Sequence, residues 1–403
     1  MFRKGLMAVA AFAALLASVA APAQPAHRVV GVSLDSLLEP VRTRFGLPAL
    51  AAAVVRNGRI VASGAVGTRR AGARIPVAID DRFHIGSDTK AMTSLVAAML
   101  VEQGKLRWDS TVAEVFPELA STMDAEVRGV TLEQLLSHTS GIPSYNDDHV
   151  QLLQESFAQE RMNLDELRYW VVGRLVRQPL QSKPGSKFAY ANMGYVLAGA
   201  MLERVTGKTW EELIAQRVFD PLGLRSAGFG SQSTPGRVDA PLGHAVLADG
   251  TLKPMLAGPD GDNPLVLGPA GTVHLSVLDF ARWAAWNAGE GRRGPPLVRA
   301  QTLRKLHTKV IDMPPKPDAP VGTPSSGGYG LGWGTVALPF AREPFVFHGG
   351  SNEMNLAYIM LQPKRDFGIV MLTNVGGAKA DAALRALGES LYKRFGAGKS
   401  GRS

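Results

Sequence analysis

Apolar residues at Leu34, Leu37, Leu38, Val41 and Phe45 recur at helical spacing. Residues 33–45 are therefore predicted as a helix, with Pro40 placed to kink or split it and Pro48 closing it. The period then changes. Residues 50–55 and 60–66 are β-type runs on either side of Asn57-Gly58, a strong hairpin signal. Over residues 87–103, Met92, Leu95, Val96, Met99 and Leu100 make one apolar helical face, and Gly104 suits the position after the helix. The middle of the chain reads as mostly helical. Thr131-x-x-Gln134 and Thr209-x-x-Glu212 look like capping boxes, and Ser276-x-x-Asp279 opens another helix. Asn192 is placed to cap a helix running to Val205, which Gly207 ends.

Residues 228–263, rich in Gly, Pro and Ser, and residues 314–328, with five prolines, are predicted to be irregular. Short β-rich runs follow at 329–336, 345–348, 355–361 and 367–373, then a closing helix over 380–395 and a frayed tail over 396–403. No internal repeat is visible. Strands at both ends and helices between them imply an α+β fold. An antiparallel sheet, flanked by N- and C-terminal helices, is built from residues of about 30–85 and 325–395. An all-helical lobe of about 86–324 is inserted into it. A cleft between two such lobes is a common place for a ligand.

Composition narrows the chemistry. With 45% apolar residues among 403, the chain can build a core, so global disorder is excluded. The absence of Cys excludes disulfides, Cys-ligated zinc and a thiol nucleophile. The net charge of +9 is carried by scattered Lys and Arg. No basic stripe with interleaved aromatics is present, so nucleic acid is not an expected partner. Arg3 and Lys4, the uncharged Ala-rich run from Leu6 to Ala20, and Ala21-Pro22-Ala23 read as a signal peptide over residues 1–23. They imply a periplasmic or secreted protein with no stable membrane anchor after cleavage.

Three short motifs carry possible chemistry. Ser87-Asp88-Thr89-Lys90 puts a hydroxyl and an amine at i and i+3, on one helical face. A serine hydroxyl needs a base, and a lysine amine supplies one only when neutral, which burial or a nearby cation favours. The helix start adds positive potential near Ser87. Alone, the motif is weak and reads more readily as a capping Ser with a surface Lys. Tyr190-Ala191-Asn192 offers a phenol that can share a proton with the amine, and an amide that can bind a substrate carbonyl or the Lys. His348-Gly349-Gly350-Ser351 follows a β-run, and its glycines allow close approach to the strand edge. A backbone N–H there can join that of Ser87 as an oxyanion hole.

Taken together and in this order, the motifs resemble those of the serine β-lactamase and penicillin-binding-protein superfamily, whose recurring elements are S-x-x-K, Y-x-N or S-x-N, and K-T-G. The resemblance is nearest to the branch of class C β-lactamases, D,D-carboxypeptidases, D-aminopeptidases and family VIII esterases, and runs from about Leu47 to about Leu391. Residues 135–143, Pro184-Gly185, residues 269–272, residues 330–333 and residues 367–374 are similar to segments of that branch.

The resemblance implies that Ser87 is the acylated nucleophile and Lys90 the base or its proton partner. It also implies that Tyr190 activates Ser87 or the deacylating water and protonates the leaving group. Asn192 would bind the substrate amide, and His348 would stand where K-T-G has Lys. The amides of Ser87 and Ser351, beside Gly350, would form the oxyanion hole. Asn374 is a second polar contact on this reading, and His138 is a hydrogen-bonding residue bordering the cleft. A His with an ordinary pKa of about 6.5 is near its midpoint at neutral pH, unlike a permanently charged Lys. Carboxylate recognition is therefore expected to be weak, and an esterase or D-peptidase fits better than an efficient β-lactamase.

The expected activity is an exported serine hydrolase. Its substrate is a small molecule or a peptide: a small ester, a D-amino-acid peptide or a β-lactam. No metal or cofactor is expected. The alternative is a non-catalytic, penicillin-binding-like envelope protein that binds cell-wall peptides. Other readings fail on motif. No G-x-S-x-G frames a Ser, neither G-K-[ST] run has the earlier Gly of a P-loop, and no H-x-x-x-H pair occurs among the eight His.

Overall fold

Asn57 and Gly58 both adopt positive φ, 52° and 72°, the turn that matches strand twist in a two-residue hairpin. They join Ala49–Arg56 to Arg59–Gly67, as the sequence implies. The structure, a computed structural model, describes residues 30–396 except 145, 160, 316–320 and 323–325. The signal-peptide reading of residues 1–23 and the tail beyond Gly396 lie outside the described residues.

In chain order the strands are β1 Val32–Ser33, β2 Ala49–Arg56, β3 Arg59–Gly67, β4 Arg82–His84, β5 Gly228–Phe229, β6 Gly243–Val246, β7 Leu252–Met255, β8 Val273–Ser276, β9 Ile311–Met313, β10 Gly327–Tyr329, β11 Gly334–Val336, β12 Phe345–Ser351, β13 Leu356–Gln362 and β14 Phe367–Thr373. Among the described residues, nine of them form one sheet in the order β1-β3-β2-β14-β13-β12-β11-β10-β9. The chain's two ends thus meet at the β2–β14 pair, where Ala51 lies opposite Leu372 and Ala53 opposite Val370.

Side-chain alternation makes two cores from one sheet. Ala51, Ala53, Ile359, Val370 and Leu372 face the inserted lobe. Leu50, Ala52, Val54, Met360, Ile369 and Met371 face the other way, onto the helices Asp35–Phe45 and Ala378–Leu391 through Leu38, Leu384 and Leu387. Runs buried on both faces read as continuously apolar for this reason. Helix Asp35–Phe45 continues through the exposed Pro40 without splitting.

Four expectations are corrected. The sheet is mixed, because the edge strand β1 pairs with β3 in parallel. The insert is not all-helical: β4, β8 and β5 form a small sheet, and β6 pairs with β7. That hairpin lies inside the stretch read as irregular. Its signal was Asp249-Gly250, where Asp249 Oδ1 accepts the Thr251 N–H and Gly250 takes φ +84°. Asn192 is the first residue of helix Asn192–Thr206 rather than its cap; Ala191 holds the cap position, because the Asn192 side chain is used elsewhere. The capping boxes at Thr131 and Thr209 form with both reciprocal bonds.

Helix Thr89–Glu102 is buried from Thr89 to Leu100 without interruption, preceded by one tight turn over Gly86–Asp88. A helix surrounded by protein needs no polar face. It packs among the inserted helices, and the turn before it abuts the end of β12.

Candidate active site

The turn before that helix can form only because two glycines lack side chains. Gly86 has φ +50°, and a Cβ on it would lie 2.3 Å from Ser351 N. A Cβ on Gly350 would lie 1.8 Å from Ile85 O and 2.6 Å from Ser87 N. The end of β12 therefore sits directly on the Ser87 turn, and the backbone amides of Ser87 and Ser351 come together. Gly350→Ala is expected to push β12 off this turn. It should lower both the melting temperature and the turnover of any substrate, measured on the same preparation, since overpacking of this kind costs about 1–3 kcal/mol.

Lys90 lies fully buried beneath Ser87. Its Nζ is 2.9 Å from Ser87 Oγ, 2.8 Å from Asn192 Oδ1 and 2.7 Å from the Ala270 carbonyl oxygen. Its other neighbours are aromatic: Nζ lies 4.8 Å from the centre of the Tyr190 ring and 5.4 Å from that of Tyr195. Burial pushes the Lys90 amine well below its ordinary value, and the nearby Asp88 only partly opposes this. Asn192 Oδ1 and Ala270 O can only accept, so two N–H groups of Nζ donate to them, and its third direction points at the Ser87 hydroxyl. Burial favours the neutral amine, in which that direction carries the lone pair.

Tyr190 and Asn192 reach this point from the start of helix Asn192–Thr206. Burial raises the Tyr190 phenol, with the Ser87 hydroxyl acting in the opposite direction. Its buried Oη meets no full hydrogen-bond geometry with any described residue. The segment is held by His138, whose Nδ1 accepts the Ala191 N–H at 3.0 Å and whose ring centre lies 4.2 Å from that of Tyr190. Burial keeps His138 neutral. His138 thus supports the cleft from behind.

His348 is also buried. A carbonyl can only accept, so Nδ1–H donates to Gly349 O at 2.8 Å, and Nε2 accepts from Tyr329 Oη at 2.9 Å. Burial pushes its pKa down to about 3. The expectation of a half-charged imidazole is corrected: at neutral pH His348 is uncharged. Asn374 is also corrected. Its Oδ1 accepts the Ala49 N–H at 2.9 Å, so it ties β14 to β2 and is spent inside the sheet.

Two participants went unnoticed in the sequence. Ala270 O is the third partner of Lys90, and its signal was the Pro269-Ala-Gly-Thr272 segment. Asp88 is buried, its carboxyl raised by burial, with Oδ1 3.6 Å from His348 Nδ1. Nothing in a tetrapeptide says which of its middle residues points inward. Among the described residues, no cluster of His, Asp and Glu is arranged to hold a metal ion. No helix there is long and apolar enough to cross a membrane. Two open grooves, of about 530 Å³ at the β2–β3 turn and about 720 Å³ on the outer face of helix Leu164–Leu175, share no residue with the Ser87 cluster.

The sheet with helices on both faces, and a serine–lysine pair at the junction with the insert, define a β-lactamase/transpeptidase-like protein. The Beta-lactamase family model matches residues 34–392, and the chain belongs to that family. Among curated relatives, Penicillin-binding protein 4 of Amycolatopsis lactamdurans is 28% identical over 351 residues, covering 84% of each chain. The octameric penicillin-binding protein homologue from Pyrococcus abyssi superposes with a TM-score of 0.69 at 27% identity, over 88% of this chain and 76% of that one. A D-stereospecific amidohydrolase from Streptomyces sp. shares the fold, with a TM-score of 0.67 at 22% identity, over 90% of this chain and 98% of that one.

Proposed function

We propose that the protein is an exported serine hydrolase that cleaves an ester or amide through an acyl-enzyme on Ser87. The observation that carries this reading is the bonding of Lys90 Nζ: two obligate acceptors take its N–H groups, and the remaining direction faces Ser87 Oγ at 2.9 Å. The amine takes the Ser87 proton as Oγ attacks the substrate carbonyl carbon. The Ser87 and Ser351 amides hold the resulting oxyanion. As the tetrahedral intermediate collapses, the bond to the leaving group breaks. That group takes a proton from Tyr190, whose phenol is restored from the Lys90 ammonium. Water then attacks the acyl carbon and gives a proton to the amine; the bond from Ser87 Oγ to the acyl carbon breaks, Oγ takes that proton back from the Lys90 ammonium, and the acid leaves. Burial raises Tyr190 and lowers Lys90, so Lys90 is the base and Tyr190 the proton donor.

On this reading the substrate lacks a carboxylate where His348 borders the site, because an uncharged imidazole bonded to Tyr329 and Gly349 offers no cation there. The relatives' names, a penicillin-binding protein and a D-stereospecific amidohydrolase, support acyl transfer and, among amides, a D-residue at the scissile bond. Steady-state rates on p-nitrophenyl esters, a D-Ala-D-Ala peptide and a cephalosporin test the reading. The esters are expected to have the largest kcat/KM, by about tenfold or more over either carboxylate-bearing substrate, on the scale of one missing ionic contact. Because His348 titrates near 3, no step in KM between pH 5 and 8 is expected from it. Equal or better turnover of the cephalosporin would remove the carboxylate argument. Absence of turnover and of any acylated protein would leave a binding protein instead.

A further inference from the structure

The two amides assigned to the oxyanion hole come from segments 264 residues apart, Ser87 before a helix and Ser351 at a strand end. Glycine packing lets them meet, but packing alone does not set their relative position. A carboxylate just outside the site touches both. Asp262 is nearly buried, and its Oδ1 lies 2.9 Å from His84 Nε2. His84 Nδ1 in turn accepts the Gly86 N–H at 3.0 Å, one residue before Ser87. That acceptor role puts the imidazole proton on Nε2, which faces Asp262 at ion-pair distance without full hydrogen-bond geometry. The same Asp262 Oδ1 accepts from Asn352 Nδ2 at 3.1 Å, one residue after Ser351. Asn352 is itself oriented by Asn355, whose Nδ2 donates to Asn352 Oδ1 at 3.0 Å.

The next residue adds a third tie. Asn263 N–H donates to Asp262 Oδ1 at 2.7 Å, and Asn263 Nδ2 donates to Gly271 O at 2.8 Å, beside the carbonyl of Ala270 that holds Lys90. Three ties thus converge on two adjacent residues. They bind the segment before the nucleophile, the segment after the second amide, and the segment that fixes the base. The His84 contact and these amide donors outweigh burial and keep the Asp262 carboxyl below its ordinary range, so it is an anionic acceptor at neutral pH.

We propose that Asp262 is a positioning residue that sets the separation of the Ser87 and Ser351 amides, acting through His84 on one side and Asn352 on the other. The proposal rests on the acyl-enzyme reading above. It gives Asp262 no contact with substrate. A shift of about 1 Å in one oxyanion donor weakens the transition state far more than the bound substrate. Cutting the tie should therefore lower kcat and leave KM nearly unchanged.

The experiment compares Asp262→Ala, Asn352→Ala and the double variant, as full-length protein, on a p-nitrophenyl ester, with Ser87→Ala as a control. Each single variant is expected to lose about 10²-fold in kcat, with KM within about threefold. The double variant should lose no more than the worse single one, because both cut the same tie. Asp262→Asn, which retains an acceptor oxygen towards Asn352, should recover most of the loss. Inhibition by an arylboronic acid, whose serine adduct is tetrahedral, should weaken in parallel with kcat. Melting temperatures identify any variant that has not folded, and Asn352→Ala keeps the test decisive if Asp262→Ala is one. The proposal is overturned if folded variants keep wild-type kcat, if the losses multiply in the double variant, or if KM rises in proportion to the fall in kcat. If Ser87→Ala itself retains turnover, it is the acyl-enzyme reading that fails.

Discussion

Ser87→Ala abolishes ester turnover while leaving a folded protein: this is the expected result with the largest effect. Removal of a serine nucleophile costs on the order of 10⁵–10⁶-fold in kcat, because the oxyanion donors have no attacking oxygen left to serve. Stability should change by no more than about 1 kcal/mol, since the deleted hydroxyl makes one hydrogen bond of ordinary net worth, to Lys90 Nζ. Two measurements check it together. Residual kcat on p-nitrophenyl acetate is read against thermal unfolding of the same sample, and intact-mass analysis after treatment with a fluorophosphonate should show one adduct on the wild type and none on the variant. Retention of more than a few per cent of turnover, or an adduct that persists without Ser87, would move the nucleophile elsewhere.

Lys90→Met should be almost as damaging, by about 10⁴-fold, and Lys90→Arg should be no better. The Arg variant separates two roles. A guanidinium keeps the positive charge but cannot deprotonate, so activity in Lys90→Arg would show that the position needs a cation rather than a base. The pH dependence carries the same sign. Folding lowers the Lys90 pKa below 10.5, so only the neutral form is active, and kcat/KM should rise with pH through the lowered value and then level off. Stability follows by linkage. Between the lowered folded value and 10.5 the unfolded chain holds the extra proton, so stability increases with pH across that window and is flat below it. In Lys90→Met this contribution disappears. The rise in unfolding free energy on the alkaline side of neutrality should be shallower than in the wild type, by at most about 1.4 kcal/mol per pH unit. An unchanged slope would mean that Lys90 is protonated in the folded state.

The trio proposed as catalytic, Ser87, Lys90 and Tyr190, was legible in the sequence for a different reason. An i, i+3 hydroxyl–amine pair, a Tyr-x-Asn at a helix start and a Gly-Gly pair after a β-run are local patterns. Each encodes its own backbone setting, and their order along the chain carried the family. The hairpin at Asn57-Gly58 and the capping boxes at Thr131 and Thr209 are local in the same way, and all of them form. The hairpin of β6 and β7 was missed although Asp249-Gly250 marked it, because flanking Gly, Pro and Ser masked two strands of only four residues each.

His348 shows the other limit. Its identity suggested a titrating group near neutrality, and that holds only for an imidazole in water. Tyr329, Gly349 and the surrounding burial come from the packing of several segments, and together they remove its charge. Asn374 changed role for a similar reason, and Asn192, placed in the sequence as a partner of substrate or of the Lys, makes the Lys contact and leaves the cap position. A side-chain amide goes to whichever donor or acceptor the fold leaves unpaired, which was Ala49 N–H for one and the Lys90 amine for the other.

The sequence by itself determined the kinds of group available, their local spacing and the alternation that makes one sheet serve two cores. Periodicity and turn chemistry act over a few residues, so they can be read without knowing the rest. Only the tertiary structure decided which amine is pushed towards its neutral form, which imidazole loses its charge, and which carboxylate lies between His84 and Asn352. These are consequences of desolvation and of contacts between residues hundreds of positions apart, and no local pattern encodes a dielectric environment.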